Sequence, residues 1–479
     1  MTQTLLTQRL TSTDASFLYI EKPEAPMHVG SISVFDGEVD FEAFVDTVEA
    51  KLPLLPRYRQ KVVFAPFNMG HPTWENDPNF NIRNHIHLAQ IDAPGNDTQL
   101  SKLGGQMLSG MMNRNQPLWE IWVVMGLAGG RSAIVTRVHH AMIDGISGVD
   151  LTKVTFDLSP NPPPLPPKPA PESLAISSNP DITKRLIDGW LGSVEEGMKS
   201  WTDFQTGLLN FSQTMTRQPS SWLIPPATIS NLNNTGMLQT ATTPPTILPF
   251  NRPNTRDRRL VWSEFSFAEA RAIRAAVGGT VNDVVLTVLS GAISQYVKLH
   301  QQKVAGRTLR VMVPVSMRRE EQRGALGNLV SVLPVELPLD IEDPLERMRF
   351  VTKKTGEMKT ARVAEGINLF SALLGTVPAS MQALLGSLAS SPVPVFNTVC
   401  TNVPGPQIPL YVTGKKMVAW YPYVPIGFNM GVGCAIMSYD QKLFFGLTSD
   451  TGIMPDVERL KEFLEAAFAE LREAAKTVS

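Results

Sequence analysis

A chain of 479 residues with 43 Lys and Arg against 44 Asp and Glu has a formal net charge of -1, and this balance gives no reason to expect nucleic acid as a partner. The length exceeds one hydrophobic core and predicts two domains. The only cysteines, Cys400 and Cys434, are too few for a disulfide framework or a zinc site and point to buried small thiols in a reducing compartment.

At the N-terminus, MTQTLLTQRLTSTDASF lacks a long apolar core and a small-residue cleavage site, so no secretory signal is expected. Residues 133–138 (AIVTRV) are rich in β-branched side chains, follow Gly129-Gly130, and predict a strand. That strand runs into His139-His140-Ala141-Met142-Ile143-Asp144-Gly145. Alternation along a strand would put His139 on the face of Ala133, Val135 and Arg137, and His140 on the face of Ile134, Thr136 and Val138. Gly145 permits a backbone conformation closed to other residues, and the apolar spacing of 146–156 predicts a helix, so the motif marks a strand-to-helix corner. From these residues alone three readings stay open. The histidines are satisfied polar groups at a strand end; or two His and a carboxylate hold a metal, which strand alternation opposes; or one imidazole, neutral near pH 7, is a general base supported by Asp144.

Residues 159–171 are so dense in proline that neither helix nor central strand continues, which predicts an extended linker. Beyond it, 181–216 is expected to be helical, with Trp190, Val194, Met198, Trp201 and Phe204 as a packing stripe. An irregular stretch over 219–254 and a strand over 259–267 follow. The resulting division is an N-terminal domain, 1–158, a linker and crossing segment, 159–257, and a C-terminal domain, 258–479, with no internal repeat. From Gly366 to Tyr439 the only Asp, Glu, Lys, Arg or His side chains are Lys415 and Lys416. Pro378 divides 367–388, and prolines and glycines break up 417–439, so no membrane-spanning helix is expected. Two uses remain: a deep core of uncharged strands, or a lipid-facing surface. In the second, 367–376 and 380–389 form an interfacial helical hairpin and Lys415-Lys416 meet anionic headgroups.

Several short motifs occur in a fixed order: Ser12-Thr13-Asp14-Ala15-Ser16-Phe17, Pro26-Met27-His28-Val29-Gly30, Pro117-Leu118-Trp119-Glu120, then the His139–Gly145 run. They continue with Asn282-Asp283, Val313-Pro314-Val315-Ser316-Met317-Arg318, Leu326-Gly327-Asn328 and Asn402-Val403-Pro404-Gly405-Pro406. With these motifs the chain resembles, over nearly its whole length, the bacterial-type wax ester synthase/acyl-CoA:diacylglycerol acyltransferases. That family is related to chloramphenicol acetyltransferases and condensation domains through HHxxxDG, a pattern shared by the whole superfamily; its order with PLWE, ND and NVPGP is far more specific.

The resemblance implies an α/β fold of two chloramphenicol acetyltransferase-like domains, each a mixed sheet flanked by helices, with a tunnel at their interface. It implies direct acyl transfer from acyl-CoA, a co-substrate, to diacylglycerol, long-chain alcohols or both, with no cofactor and no metal. His140 is then the base and His139 structural. Asp144 and Gly145 complete the motif, and Arg318 is the expected partner of Asp144. Pro117, Trp119, Glu120, Asn282 and Asp283 support the site, although core packing suffices for Trp119 and helix capping for Asn282 and Asp283. No residue is assigned to the CoA phosphates. A cytoplasmic enzyme peripheral to a membrane or lipid droplet is expected. The alternatives are a condensation-type acyltransferase and a non-catalytic lipid-binding protein of the same fold.

Overall fold

The computed structural model describes residues 8–143, 152, 154–164, 245–316, 330–360, 382–383 and 394–478. Its strands in chain order are β1 (Gln8–Arg9), β2 (His28–Asp36), β3 (Gln60–Val63), β4 (Thr73–Asn76), β5 (Ile86–Gln90), β6 (Trp119–Leu127), β7 (Arg131–His139) and β8 (Arg258–Ser266). They continue with β9 (Thr308–Ser316), β10 (Val330–Pro338), β11 (Thr398–Pro404), β12 (Tyr411–Val412), β13 (Lys415–Tyr423), β14 (Val432–Tyr439) and β15 (Lys442–Asp450). The helices used below are α1 (Ser12–Ile20), α2 (Phe41–Lys51), α3 (Asp97–Met107), α4 (Phe267–Val277), α5 (Val281–Leu299), α6 (Pro344–Thr360) and α7 (Val457–Lys476).

Two six-stranded sheets dominate, in the orders β12-β13-β2-β7-β6-β5 and β10-β9-β11-β14-β15-β8, beside a three-stranded sheet β1-β4-β3. Both large sheets are mixed. β5 runs parallel to β6 in the first, and β11 runs parallel to β9 and β14 in the second. The predicted strand at 133–138 is β7, central in the first sheet and buried from Ser132 to His139. A strand covered on both faces has no need of polar alternation, and its polar side chains must then find partners. Ser132 Oγ donates to the Gly37 carbonyl at 2.8 Å and Thr136 Oγ1 pairs with Ser31 Oγ at 3.0 Å. Left-handed φ values of 78° and 67° at Gly129 and Gly130 make the tight turn from β6.

In the second half, α7 buries Val457, Leu460, Leu464, Phe468 and Leu471 at i, i+4 and i+3 spacing and packs on α5, itself buried along most of its length. The predicted strand at 259–267 is β8, and its last residue, Ser266, caps α4. Cys400 and Cys434 face each other across parallel β11 and β14 as buried free thiols. The later part of the uncharged region, from 394 onward, forms β11, β13 and β14, as the deep-core reading expects. Of 367–389 only Gln382 and Ala383 are described. Gln382 accepts a hydrogen bond from Ser12 of α1 at 3.0 Å, and Ala383 packs against the first core. Lys416 pairs with Asp440 at 3.0 Å. Among the described residues no single helix is long and apolar enough to cross a membrane.

The seam between the halves is built from both. Residues 411–423, which a division at 258 places in the second half, hydrogen-bond into the first sheet through β13 and β2. Tyr421 of β13 stacks on Trp262 of β8 at 4.4 Å, and its hydroxyl donates to Glu264 at 2.6 Å. Helix α3 lies against β8, where Ser101 Oγ donates to the Leu260 carbonyl at 2.6 Å and a Cβ at Gly105 would run into the Arg258 carbonyl. Arg258 and Asp450 form an ion pair of 3.1 Å with both side chains fully buried, and Arg258 also donates to the Glu24 carbonyl at 2.6 Å. The predicted helices at 146–156 and 181–216 fall largely or wholly outside the described residues.

Candidate active site

The end of β7 is where polar groups gather. His139 is the last strand residue and His140 the first of a 3-10 turn, His140–Met142. The strand alternation expected to part the two rings therefore stops between them; the change from strand to turn separates them instead. His139 Nδ1 accepts the Ala141 N–H at 3.1 Å, which caps the turn. Its Nε2 lies 3.3 Å from Glu21 Oε1, with both side chains buried. The main chain of the corner is pinned on both sides. The His139 N–H donates to the Leu118 carbonyl at 2.9 Å, and the His140 N–H to the Met27 carbonyl at 2.8 Å.

The His140 ring goes elsewhere. It stacks on Phe17 of α1 with centroids 3.9 Å apart and planes 17° from parallel. Its Nδ1 is sealed from solvent with no hydrogen-bond partner in any other described residue, while the residue as a whole is only half-buried. Burial, opposed by its own carbonyl and reinforced by His139, pushes its pKa down to about 4. At neutral pH the ring is therefore an uncharged base.

Glu21, at the end of α1, anchors the corner. Its Oε2 accepts from Arg114 Nη2 at 2.7 Å and its Oε1 from the Met27 N–H at 3.0 Å. Burial alone would raise the carboxyl pKa, but His139, Arg114 and the Met27 N–H together hold it down to about 2. Opposite His139 on the neighbouring strand β2 is His28, whose Nε2 donates to the Leu108 carbonyl at 2.8 Å while its ring stacks on Tyr423 at 5.6 Å. Burial and the nearby Arg137 push His28 down to about 3, and burial raises the Tyr423 hydroxyl to about 12.

The predicted supporting residues divide into near and far. Trp119 is core, as packing alone would have it: its Nε1 donates to the Tyr58 carbonyl at 2.8 Å and it stacks on His85 at 4.6 Å. Pro117 is buried beside it, and the motif reaches His139 through the Leu118 carbonyl. Glu120 Oε2 accepts from Arg137 Nε at 2.8 Å, and Arg137 also donates to the Ser109 carbonyl at 2.9 Å. Asn282 and Asp283 lie in the first turn of α5, but the N-cap is Thr280. Asp283 closes a capping box with Thr280 and accepts from Thr355 Oγ1 at 2.7 Å. None of the hydrogen bonds of Asp283 runs to the histidine corner among the described residues. Asp144, Gly145 and Arg318 lie outside the described residues. A cleft of about 370 Å³ between α4 and α7, lined by Glu269, Ala272 and Arg472 among others, contains none of the predicted site residues. No group of three or more His, Cys, Asp or Glu among the described residues is placed to hold a metal.

Phe17, Glu21, Met27, His28 and Arg114 were not singled out as site residues. Phe17, Met27 and His28 stand inside motifs that carried the resemblance, so a signal existed without a role. Glu21 and Arg114 had none, because partners so far apart in sequence are joined only by the fold.

Residues 10–285 match the wax ester synthase/diacylglycerol acyltransferase catalytic domain and residues 326–472 the C-terminal domain of the same family. A probable diacylglycerol O-acyltransferase of Mycobacterium tuberculosis is 28% identical over 470 residues, covering 96% of this chain and 95% of the relative. The wax ester synthase/diacylglycerol acyltransferase of Marinobacter aquaeolei VT8 superposes with a TM-score of 0.67 at 23% identity, over 98% of this chain and 100% of the other. The first condensation domain of the calcium-dependent antibiotic synthetase shares the fold at a TM-score of 0.58 and 14% identity, over 98% and 96% of the two chains.

Proposed function

This chain belongs to the wax ester synthase/diacylglycerol acyltransferase family and is an acyl-CoA-dependent acyltransferase; we propose that it esterifies diacylglycerol, long-chain alcohols or both, with His140 as general base. The observation that carries the assignment of the base is the His140 ring itself, desolvated, neutral, stacked on Phe17 and held on a pinned turn. With Nδ1 sealed, Nε2 is the nitrogen left to take a proton. An alcohol hydroxyl is a poor nucleophile, and His140 removes its proton as the oxygen attacks the thioester carbon. Collapse of the tetrahedral species breaks the C–S bond, and the imidazolium returns the proton to the departing CoA thiolate. No acyl-enzyme is formed. A base of this kind contributes about 100- to 10,000-fold, so holding both substrates in a tunnel between the halves supplies much of the remaining acceleration. Asp144 and Arg318 are the proposed conformational pair beside the turn. The test is a competition assay with one labelled acyl-CoA against diacylglycerol, hexadecanol and no acceptor: ester product is expected, and exclusive hydrolysis would overturn the proposed acceptors.

Both substrates are delivered from a lipid surface in this reading, since each methylene transferred out of water is worth roughly 0.8 kcal/mol. One described segment supports it. Residues 51–74 contain no Asp or Glu and carry Arg57 and Arg59, with Lys51 and Lys61 paired to Asp157 and Asp77, while Leu54 is 73% and Phe67 86% exposed. Left-handed φ at Phe67 and Asn68, 55° and 52°, holds that loop tip in a conformation side chains rarely adopt. The loop is joined to the site, because Tyr19 of α1 hydrogen-bonds His71 at 3.1 Å and Arg114 lies over the Phe64 ring. Flotation on anionic vesicles, comparing Phe67→Asp with charges introduced at Leu373 and Leu384, separates this loop from the hairpin proposed at 367–389. Binding unchanged in all three variants removes both surfaces.

A further inference from the structure

The Glu21 carboxylate does more than an ion pair requires. Arg114 Nη2, at 2.7 Å from Oε2, already neutralises it, yet Oε1 is turned to the Met27 N–H at 3.0 Å and to His139 Nε2 at 3.3 Å. The His139 contact is the longer of the two and joins two buried side chains. Because His139 Nδ1 accepts the Ala141 N–H, the neutral ring carries its proton on Nε2, the nitrogen that faces the carboxylate. A carboxylate behind a histidine selects its tautomer and orientation in the same way at other catalytic and ligand sites. Through Met27 the same oxygen reaches the second histidine, since the Met27 carbonyl accepts the His140 N–H at 2.8 Å. Arg114 completes the frame by donating to the Leu18 carbonyl of α1 at 3.0 Å, one residue from the Phe17 ring that covers His140.

We infer that Glu21 is a positioning residue for acyl transfer: it fixes the tautomer of His139 and, through Met27, the backbone from which His140 projects. The inference rests on His140 being the base. Arg114 serves as the outer anchor, keeping the carboxylate ionised without drawing it away from His139. The unusual element is that one buried carboxylate oxygen governs both members of the pair, one by its ring and the other by its main chain.

The test uses the full chain carrying Glu21→Gln and, separately, Glu21→Asp. The Asp variant retains a negative charge for Arg114 but withdraws it from His139 by one methylene, so it stays informative if the Gln variant does not fold. The readouts are kcat and KM for acyl-CoA, the thermal midpoint, and ¹⁵N spectra of labelled histidines that report which ring nitrogen is protonated. In folded variants kcat is expected to fall on the order of 100-fold with KM little changed, the scale of a catalytic group displaced by about 1 Å. The Nε2–H signature of His139 is expected to weaken. A folded variant with wild-type kcat overturns the inference, and so does one whose loss of kcat leaves the His139 tautomer untouched. His140→Ala run in parallel keeps the two readings apart: full turnover there removes the base, whereas the tautomer result stands or falls on Glu21 alone.

Discussion

The two six-stranded sheets share a plan and differ in what they bury. The first half contains six of the seven histidines, and His28, His71, His85 and His139 are buried there as neutral or carboxylate-facing rings. The second half buries polar groups that close on one another. Asp283 closes a capping box, Arg258 finds Asp450, and Cys400 lies against Cys434. A buried group already committed to another protein group is poorly placed to take up a substrate. An imidazole held at the end of a strand, with one nitrogen sealed, keeps one available. In the proposed mechanism the same architecture gives a reacting end in one half and a wall in the other.

The comparison breaks first at His140. His140→Ala is expected to lower ester formation by about 100- to 10,000-fold while the far-UV spectrum and melting curve stay those of the wild type. Full turnover by folded protein would take the chemistry away from the first sheet. Next is the seam, where Asp450→Ala strands the buried Arg258 guanidinium and should cost roughly 3 to 5 kcal/mol, read as a shift of the urea midpoint at unchanged slope.

Acid should weaken the first half before the second. His28, His71 and His140 are each pushed down by burial, to about 3, 4 and 4. In the unfolded chain they protonate near the usual value of about 6.5, so below that pH the unfolded state binds more protons than the folded one. Stability from these groups is complete above pH 6.5 or so, declines as pH falls, and is exhausted once the folded values are passed. Melting temperatures measured from pH 7 to pH 5 should drop, and a flat profile would contradict the buried neutral histidines. The acid limb of kcat/KM in the free enzyme should lie nearer 4 than 6.5. The smallest effect tests the wall: Thr280→Ala removes the N-cap of α5 and is expected to cost about 1 kcal/mol, with kcat per folded molecule unchanged. A kcat loss out of proportion to that cost would bring the second half into the chemistry.

Much of the fold was legible because its signals are local. The β-branched run at 133–138 became β7 and the run at 259–267 became β8, each within two residues at either end. Trp119 was readable as core, and of the two uses left open for the uncharged region the deep core describes its later part, which forms strands. Other features depended on where strands and helices stop. Alternation gave the right separation of His139 and His140 for the wrong reason, because the strand ends at His139 and the turn that follows obeys a different geometry. Asp283 does cap its helix, as the N3 member of a capping box, but the N-cap is Thr280, since one added turn of helix is not resolved by apolar spacing. The placement of β13 beside β2 was not readable at all, because strand pairing between residues nearly 400 apart leaves no local pattern.

By itself the sequence determined the family, the mixed α/β class and the histidine motif, because motif order and side-chain periodicity are properties of neighbouring residues. Only the tertiary structure decided which carboxylate stands behind His139, which ring covers His140, and which strands complete each sheet. Those contacts join Glu21 and Arg114 to residues far along the chain, and their energies depend on burial that no segment possesses until the whole has folded.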